Sequence, residues 1–362
     1  MTAPIAPPGR ILLIKLRHHG DVLLTTPVIS TLKHHYPDAE VDVLVYQETA
    51  PMLSRHPDVS QLHCLERGRR GWRKLAHLVG LYRRLAARRY DWVIDLSDQW
   101  NGALLTRLLK PREAVGLDYP KRRNKYWRRC FTRLAPMAER NTLHTVEQNL
   151  VALEILGVQP TDDSRRCTMA YSQEDREQVR SQLASLGVHG AYIVAHPPAR
   201  WFFKCWEDER FAAVIQSLAD DGWPVIVTGG ASDQEMTLVG NVMSHVQSPR
   251  VHSLAGQLSL NTLAALIDGA RLFIGVDSVP MHMAAALQTD CIALFGPSKL
   301  NEWSPWMARS IVLHAADYAP LPDPDTVDTS TDERYLSAIP VDDVLSAAQR
   351  LLRPSDATQR RG

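Results

Sequence analysis

Residues 11–27 read ILLIKLRHHGDVLLTTP, an apolar run from Ile11 to Leu16, a polar turn, and then an amphipathic stretch that continues to His35. A short apolar run opening into a 3.6-period pattern is the mark of a βα unit. The reading predicts a strand over Ile11–Leu16 and a helix over Leu23–His35, ended at Tyr36 because a residue before proline is pushed away from the helical region. The same alternation recurs outward along the chain. Further strands are expected at Val41–Tyr46, Trp92–Leu96 and Ala114–Leu117, with helices at Trp72–Arg89, Gly102–Lys110 and Thr145–Leu156. After a polar stretch and a short helix at Gln173–Leu186, strands follow at Tyr192–Ala195, Val225–Thr228, Val251–Ser253, Leu272–Val276 and Cys291–Phe295. Helices at Asp208–Asp220, Ser232–Ser244, Leu260–Asp268 and Val279–Leu287 separate them, an extended loop covers Ala316–Thr331, and a last helix spans Val341–Leu352. Regular alternation of this kind predicts parallel sheets in an α/β protein.

The 362 residues suffice for two domains, and 45% apolar with 22% charged residues is the composition of an ordinary globular protein. The boundaries expected are 1–170, 171–340 and a C-terminal helix and tail at 341–362. Five dispersed cysteines without a C-x-x-C pair argue against a zinc ribbon or a disulfide framework and fit a reducing cytoplasm. The N-terminus has no secretory apolar core and no segment is apolar enough to span a bilayer, so any membrane contact is expected to be peripheral. Charge is unevenly divided. Residues 1–150 carry 25 basic and 14 acidic side chains, a balance of +11, whereas the remainder carries 16 and 26, a balance of −10. The basic residues concentrate at Arg67–Arg89 and Lys121–Arg129 among Trp72, Tyr82, Tyr90, Tyr126 and Trp127, as a solvated helix face or a polyanion-binding surface would.

G-x-G-x-x-G, the P-loop, G-x-S-x-G and H-E-x-x-H are all absent, which removes the main support for dehydrogenase, P-loop kinase, α/β-hydrolase and zincin readings. The Asp323–Asp325 pair lies in an acidic loop, so no divalent cation is demanded. Four loops after strands remain as candidates. In the first, Gly20 permits a tight turn and Asp21 is either a helix N-cap or a general base, with His18 and His19 beside it. In the second, Arg200 and Lys204 stand among Trp201, Phe202, Phe203 and Trp206, cations with apolar walls that suit a phosphate. In the third, Asp277-Ser278 precede a helix opened by Pro280 and carrying His282, an arrangement that suits an anion. The fourth, Gly296-Pro297-Ser298, is expected to close the same cleft.

Together GDVLLTTP, the R-x-x-x-K-x-W loop, GVDSVPMHMAAAL and ALFGPS resemble the heptosyltransferase family of lipopolysaccharide core assembly, glycosyltransferase family 9. RILLIKLRHHGDVLLTTPVISTLK and HPPARWFFKCW most resemble the branch that adds the branching heptose of the inner core. The likeness runs from about Ile11 to Trp306. It implies a GT-B fold, two Rossmann-like doubly wound domains facing a central cleft, with acceptor on the N-terminal side and ADP-heptose on the C-terminal side. It implies inverting transfer without a metal or other cofactor, to a lipopolysaccharide inner-core glycolipid at the inner face of the cytoplasmic membrane, and no nucleic-acid partner. Residue by residue it implies Asp21, next to Gly20, as catalytic base, and Lys204 as the donor-phosphate lysine, with Arg200 beside it. Asp277 would contact the donor sugar, Ser278, Val279 and His282 would form the phosphate-binding turn and helix, and Gln257-Leu258 would lie by the adenine. Two positions depart from the pattern. Val279 stands where the family often has Gly, and the turn Gly229-Gly230-Ala231-Ser232-Asp233 offers Ser232 or Asp233 where relatives place a ribose-binding Glu. A transferase using another nucleotide sugar, or a non-catalytic polyanion or lipid-surface binder, are the alternative readings.

Overall fold

A computed structural model describes residues 5–353 except 69, 123, 140 and 141, and except the side chain of Lys74. Arg69 and Arg123 of the basic stretches, and 354–362 of the expected tail, therefore lie outside the described residues. The chain divides into two units, Met1–Ala170 and Tyr171–Gly362.

The first unit runs β1 (Arg10–Lys15), α1 (His19–Leu23), α2 (Thr26–His35), β2 (Glu40–Tyr46), β3 (Gln61–Leu65), α3 (Gly71–Arg88) and β4 (Trp92–Asp95). It continues with α4 (Trp100–Leu109), β5 (Glu113–Leu117), α5 (Lys125–Arg128), β6 (Arg133–Ala135) and α6 (Thr145–Glu154). Its six strands are parallel in the order β3-β2-β1-β4-β5-β6. The second unit opens with α7 (Gln173–Ser185), β7 (Ile193–His196), α8 (Asp208–Asp220), β8 (Val225–Val227), α9 (Asp233–Ser244), β9 (Val251–Ser253) and α10 (Leu260–Asp268). There follow β10 (Leu272–Val276), α11 (Val279–Ala286), β11 (Cys291–Phe295), α12 (Leu300–Trp303), β12 (Ser310–His314) and α13 (Val341–Leu352). Its strand order, β12-β11-β10-β7-β8-β9, is the same doubly wound order read from the other edge. Each unit thus has a switch point, between β1 and β4 in the first and between β7 and β10 in the second, where the loops after the strands diverge and a ligand can enter.

Burial explains why the central strands are continuous apolar runs rather than alternating ones. Helices cover both faces of a parallel sheet, so both sets of side chains go inside, and Ile11 to Ile14 and Leu272 to Val276 are all essentially inaccessible. Three strands escaped the sequence reading. β3 and β12 are edge strands with half-exposed residues, and β6 has only three. The helix expected over Leu23–His35 is two helices. Pro27 has no N–H to give the carbonyl of Leu23, and the hydroxyl of Thr26 donates to that carbonyl instead at 2.8 Å, so the chain turns between α1 and α2. The C-terminal helix, expected as a segment apart, belongs to the second unit. Val344, Ala347, Ala348 and Leu351 of α13 are part of that unit's apolar core beside α8. No helix among the described residues is long and apolar enough to cross a membrane.

Candidate functional site

The C-terminal edge of the second sheet gathers five loops in the spatial order β11, β10, β7, β8, β9. After β7 the chain makes a 3-10 turn over Phe202–Lys204, which carries Lys204 back across the strand end to Asp277 after β10. Lys204 Nζ donates to Asp277 Oδ2 at 2.5 Å, and both side chains are largely buried. Burial pushes the Asp277 carboxyl up, but the Lys204 ammonium, the Ser298 hydroxyl and His282 outweigh it and hold the group below the ordinary carboxylate range. The apolar walls expected of this loop are present: Trp201 and Phe203 stack at 6.0 Å between centroids, and Lys204 Nζ lies 4.9 Å from the Trp201 ring. Arg200 is exposed beside Trp201, 5.8 Å from its centroid.

Ser278 caps α11 and Pro280 occupies its first turn, so the N–H groups of that turn are not consumed by the helix. The Ser278 hydroxyl is buried and has no hydrogen-bond partner among the described residues. His282, on the next turn, is buried against Trp303 at 6.2 Å between ring centroids. Gly296-Pro297-Ser298 follows β11, and Ser298 is buried beside Asp277. Val279 is simply the first residue of α11, so the missing glycine leaves the turn intact.

At the glycine turn the structure brings forward a carboxylate other than the residues the sequence reading offered. Ser232 is the N-cap of α9 and accepts from the Glu235 N–H, which commits it to the helix, and Asp233 begins the helix. Glu235 is the carboxylate that returns to the glycine turn, accepting from the Gly230 N–H at 2.6 Å. Gly230 leaves room for this approach, since a Cβ there would stand 2.9 Å from Glu235 Oε2 and displace the carboxylate. The sequence holds the clue: Ser-x-x-Glu after a glycine turn is a capping pattern that aims a carboxylate at the strand end. Leu258, half-buried, lies in the loop between β9 and α10, beyond Gly256, whose N–H donates to Gly229 at 2.9 Å.

In the first unit Asp21 is neither an N-cap nor preceded by a tight turn. His18 is the N-cap, Gly20 is buried with an ordinary helical conformation, and Asp21 is the third residue of α1. Its carboxylate accepts from the His18 N–H at 3.3 Å and lies 3.6 Å from Arg17 Nε, with the side chain 13% exposed. Behind it sit two groups that hydrophobic patterning passed over as strand ends. Lys15 closes β1 and is buried, donating to Asn149 Oδ1 at 3.0 Å, while Asn149 donates to the Leu24 carbonyl at 3.0 Å and so ties α1 to α6. Burial lowers the Lys15 ammonium to about 8, against the pull of Asp21 and Asp95. Asp95 closes β4 beside it. Burial pushes that carboxyl up to about 7, and its Oδ2 reaches no partner among the described residues. Gly102 leaves it room, since a Cβ there would stand 2.5 Å from Oδ2.

A separate cavity of roughly 520 Å³ lies at the opposite edge of the second sheet, between α7 and α10, lined by Tyr171, Arg176, Arg180, His189 and Asp268 among others. It holds none of the groups just described.

Two doubly wound units of one topology, each with polar groups gathered at its switch point, make the two-domain architecture of the GT-B class. Residues 78–332 match the model of glycosyltransferase family 9 (heptosyltransferase). Lipopolysaccharide heptosyltransferase 3 of Escherichia coli is 42% identical over 346 residues, 95% of this chain and 99% of that one. Lipopolysaccharide heptosyltransferase 1 of Pseudomonas aeruginosa is 28% identical, over 80% of this chain and 79% of its own. Among solved structures, a glycosyl transferase family 9 protein from Veillonella parvula superposes with a TM-score of 0.83 at 24% identity, covering 96% of this chain and 98% of its own. The E. coli ADP-heptose lps heptosyltransferase II superposes at 0.75 with 21% identity, covering 98% and 100%. The chain belongs to glycosyltransferase family 9, the heptosyltransferases, and is a glycosyltransferase of the lipopolysaccharide-core kind.

Proposed function

We propose that this enzyme moves heptose from ADP-heptose to a heptose of the lipopolysaccharide inner core, inverting the anomeric centre. The observation that carries the donor half is the buried Lys204–Asp277 pair at the β7/β10 switch point. An ammonium has three donors. One is held by Asp277, and two remain for oxygens of a leaving diphosphate, whose growing charge is what the protein must stabilise. Arg200 adds a second cation, and the first-turn N–H groups of α11 with the Ser278 hydroxyl supply neutral donors, so the scheme needs no metal. Glu235 suits the ribose hydroxyls and Leu258 the adenine, in the order in which β8 and β9 follow β7 in the sheet. The E. coli relatives support this donor, one being an ADP-heptose lps heptosyltransferase and another a heptosyltransferase that binds ADP.

Asp21 is the base. Its carboxylate takes the proton of the acceptor hydroxyl as that oxygen bonds to the anomeric carbon and the bond from that carbon to the ADP oxygen breaks. The basic first unit attracts a phosphate-bearing glycolipid at the inner face of the cytoplasmic membrane, which the enzyme meets peripherally. Asp21→Asn tests the assignment. Turnover should fall by ~10²–10⁴, the usual contribution of a general base, with ADP binding retained. Turnover close to that of the parent would overturn the role, and failure of ADP to raise the melting temperature would overturn the donor.

A further inference from the structure

The residues from Arg67 to Tyr90 contain nine basic and no acidic side chains, and the stretch from Trp100 to Lys110 has none either. An ordinary solvated helix mixes the two signs. α3 and α4 lie side by side over one apolar cluster, into which Leu78, Leu81 and Leu85 of the first and Leu105 and Leu109 of the second pack. Their burial accounts for the inner stripes. It does not account for Trp72, Leu75 and Val79, which are 74%, 64% and 39% exposed, or for Leu104 and Leu108, at 48% and 57%. By helix geometry the first three fall within a sector of about 60° beside the buried stripe, and Leu104 and Leu108, four residues apart, share one face of α4. Five large apolar side chains on two neighbouring helices, edged by the exposed Arg70, Arg73, Arg83, Arg84 and Arg107, leave an unpartnered surface that is both apolar and cationic.

We propose that the outer face of α3 and α4 docks the enzyme on an anionic bilayer, with Trp72, Leu75, Leu104 and Leu108 entering the interface and the arginines meeting lipid phosphates. An amphipathic helix with Trp and Leu on one side and Arg beside them is the form such contacts take. Charge decides against pairing of this face with its own copy, because two carboxylate-free basic faces repel. Position supports the choice. α3 follows β3 and α4 follows β4, so both begin at the C-terminal edge of the sheet, the edge at which Asp21 stands. Trp72 and Leu75 lie in the opening turns of α3, toward that edge. At its far end α3 is clamped by Arg88, which donates to the buried Asp42 at 2.9 Å, so the helix is a fixed platform. The inference rests on the reading of a lipid-anchored acceptor and adds a lipid contact distinct from the acceptor's own phosphates.

The test is partitioning of the full chain onto vesicles of phosphatidylethanolamine and phosphatidylglycerol, with Trp72→Ser/Leu75→Ser and Leu104→Ser/Leu108→Ser variants. Each large apolar group withdrawn from the interface should lower the partition coefficient roughly tenfold. Raising salt from about 0.1 M to about 1 M shrinks the Debye length from about 10 Å to about 3 Å. The parent should then keep a salt-resistant remainder that both variants lack. Transfer to a water-soluble, delipidated core oligosaccharide should be unchanged, as these residues lie on the helices' outer face. Partitioning equal to the parent's would overturn the proposal. So would a change of oligomeric state with vesicle binding intact, which would make the patch a contact between copies. If the parent transfers nothing to the soluble acceptor while the variants still lose vesicles, the functional reading fails and the docking face stands.

Discussion

Replacing Lys204 by methionine removes one member of a buried charge pair and nothing of comparable bulk. At 2.5 Å and an effective dielectric near 20, the attraction between Lys204 Nζ and Asp277 Oδ2 is roughly 6–7 kcal/mol before desolvation. Much of that is offset by taking both ions out of water, but Lys204→Met leaves the offset on Asp277 in place with no partner to meet it, and such losses run to about 3–5 kcal/mol. For a unit of this size, at ~2–4 °C per kcal/mol, the melting temperature should fall by about 10 °C at pH 8. The pH dependence carries the sharper test. In the parent Asp277 titrates below its unfolded value, so the pair's contribution is complete above the unfolded carboxylate pKa of about 3.9 and is lost as pH falls below it. Without the ammonium, burial dominates and the carboxyl is raised above its unfolded value, so the variant loses stability as pH rises through the new pKa. The parent-minus-variant difference in melting temperature should therefore be clearly smaller at pH 5 than at pH 8. Lys204→Met/Asp277→Asn, which removes both charges, should regain most of the stability and none of the transfer activity. A deficit equal at the two pH values, or no deficit at all, would refute the reasoning.

Asp95 has its folded carboxyl raised to about 7, so the native state holds a proton that the unfolded chain releases, and its contribution to stability falls as pH climbs from about 4 to about 7. Asp95→Asn should match the parent in urea unfolding at pH 5 and exceed it at pH 8; no gain at pH 8 would mean the carboxylate has a counter-charge after all. Glu235→Gln should weaken ADP by roughly tenfold in calorimetry, the loss of a charge-assisted bond to a ribose hydroxyl, with the maximal rate nearly kept. Unaltered ADP affinity would remove Glu235 from the ribose site.

How much could be read beforehand follows from what each signal measures. Apolar runs report burial on both faces, so the central strands of both sheets were legible from Ile11–Leu16 to Cys291–Phe295, while β3, β6 and β12, short or at an edge, left no such run. The turn between α1 and α2 was hidden because periodicity continues across Thr25-Thr26-Pro27, and only the proline marks it. The R-x-x-x-K loop and Asp277 were legible as chemistry because cations among aromatics, and an aspartate at the end of a buried strand, are costly unless used. That they meet across 73 residues was not, since it depends on β10 returning to lie beside β7. Glu235, which the proposal sets at the ribose, was passed over by counting from the glycines rather than from the cap, and Lys15 and Asp95 were absorbed into the strands that they end.

The two switch points have one topology and opposite treatment of their carboxylates, and that difference supports the roles proposed for them. Asp277 is held by an ammonium at 2.5 Å and kept below the ordinary range, so it is a poor proton acceptor and a good anchor, fixing Lys204 for an anion. Asp21 has a looser environment. Its nearest paired cation is Arg17 Nε at 3.6 Å, on a side chain 39% exposed, and its other contact is one N–H at 3.3 Å. The buried Lys15 is committed to Asn149, which in turn holds the Leu24 carbonyl at the end of α1, the helix that carries Asp21. Asp21 is thus positioned without being held by a buried cation, the arrangement that the proposed role of base asks for. On the proposed scheme, exchanging the two environments would fail on both sides: a base held by a buried ammonium would be a weaker proton acceptor, and without its partner Asp277 the Lys204 ammonium would no longer be fixed for an anion.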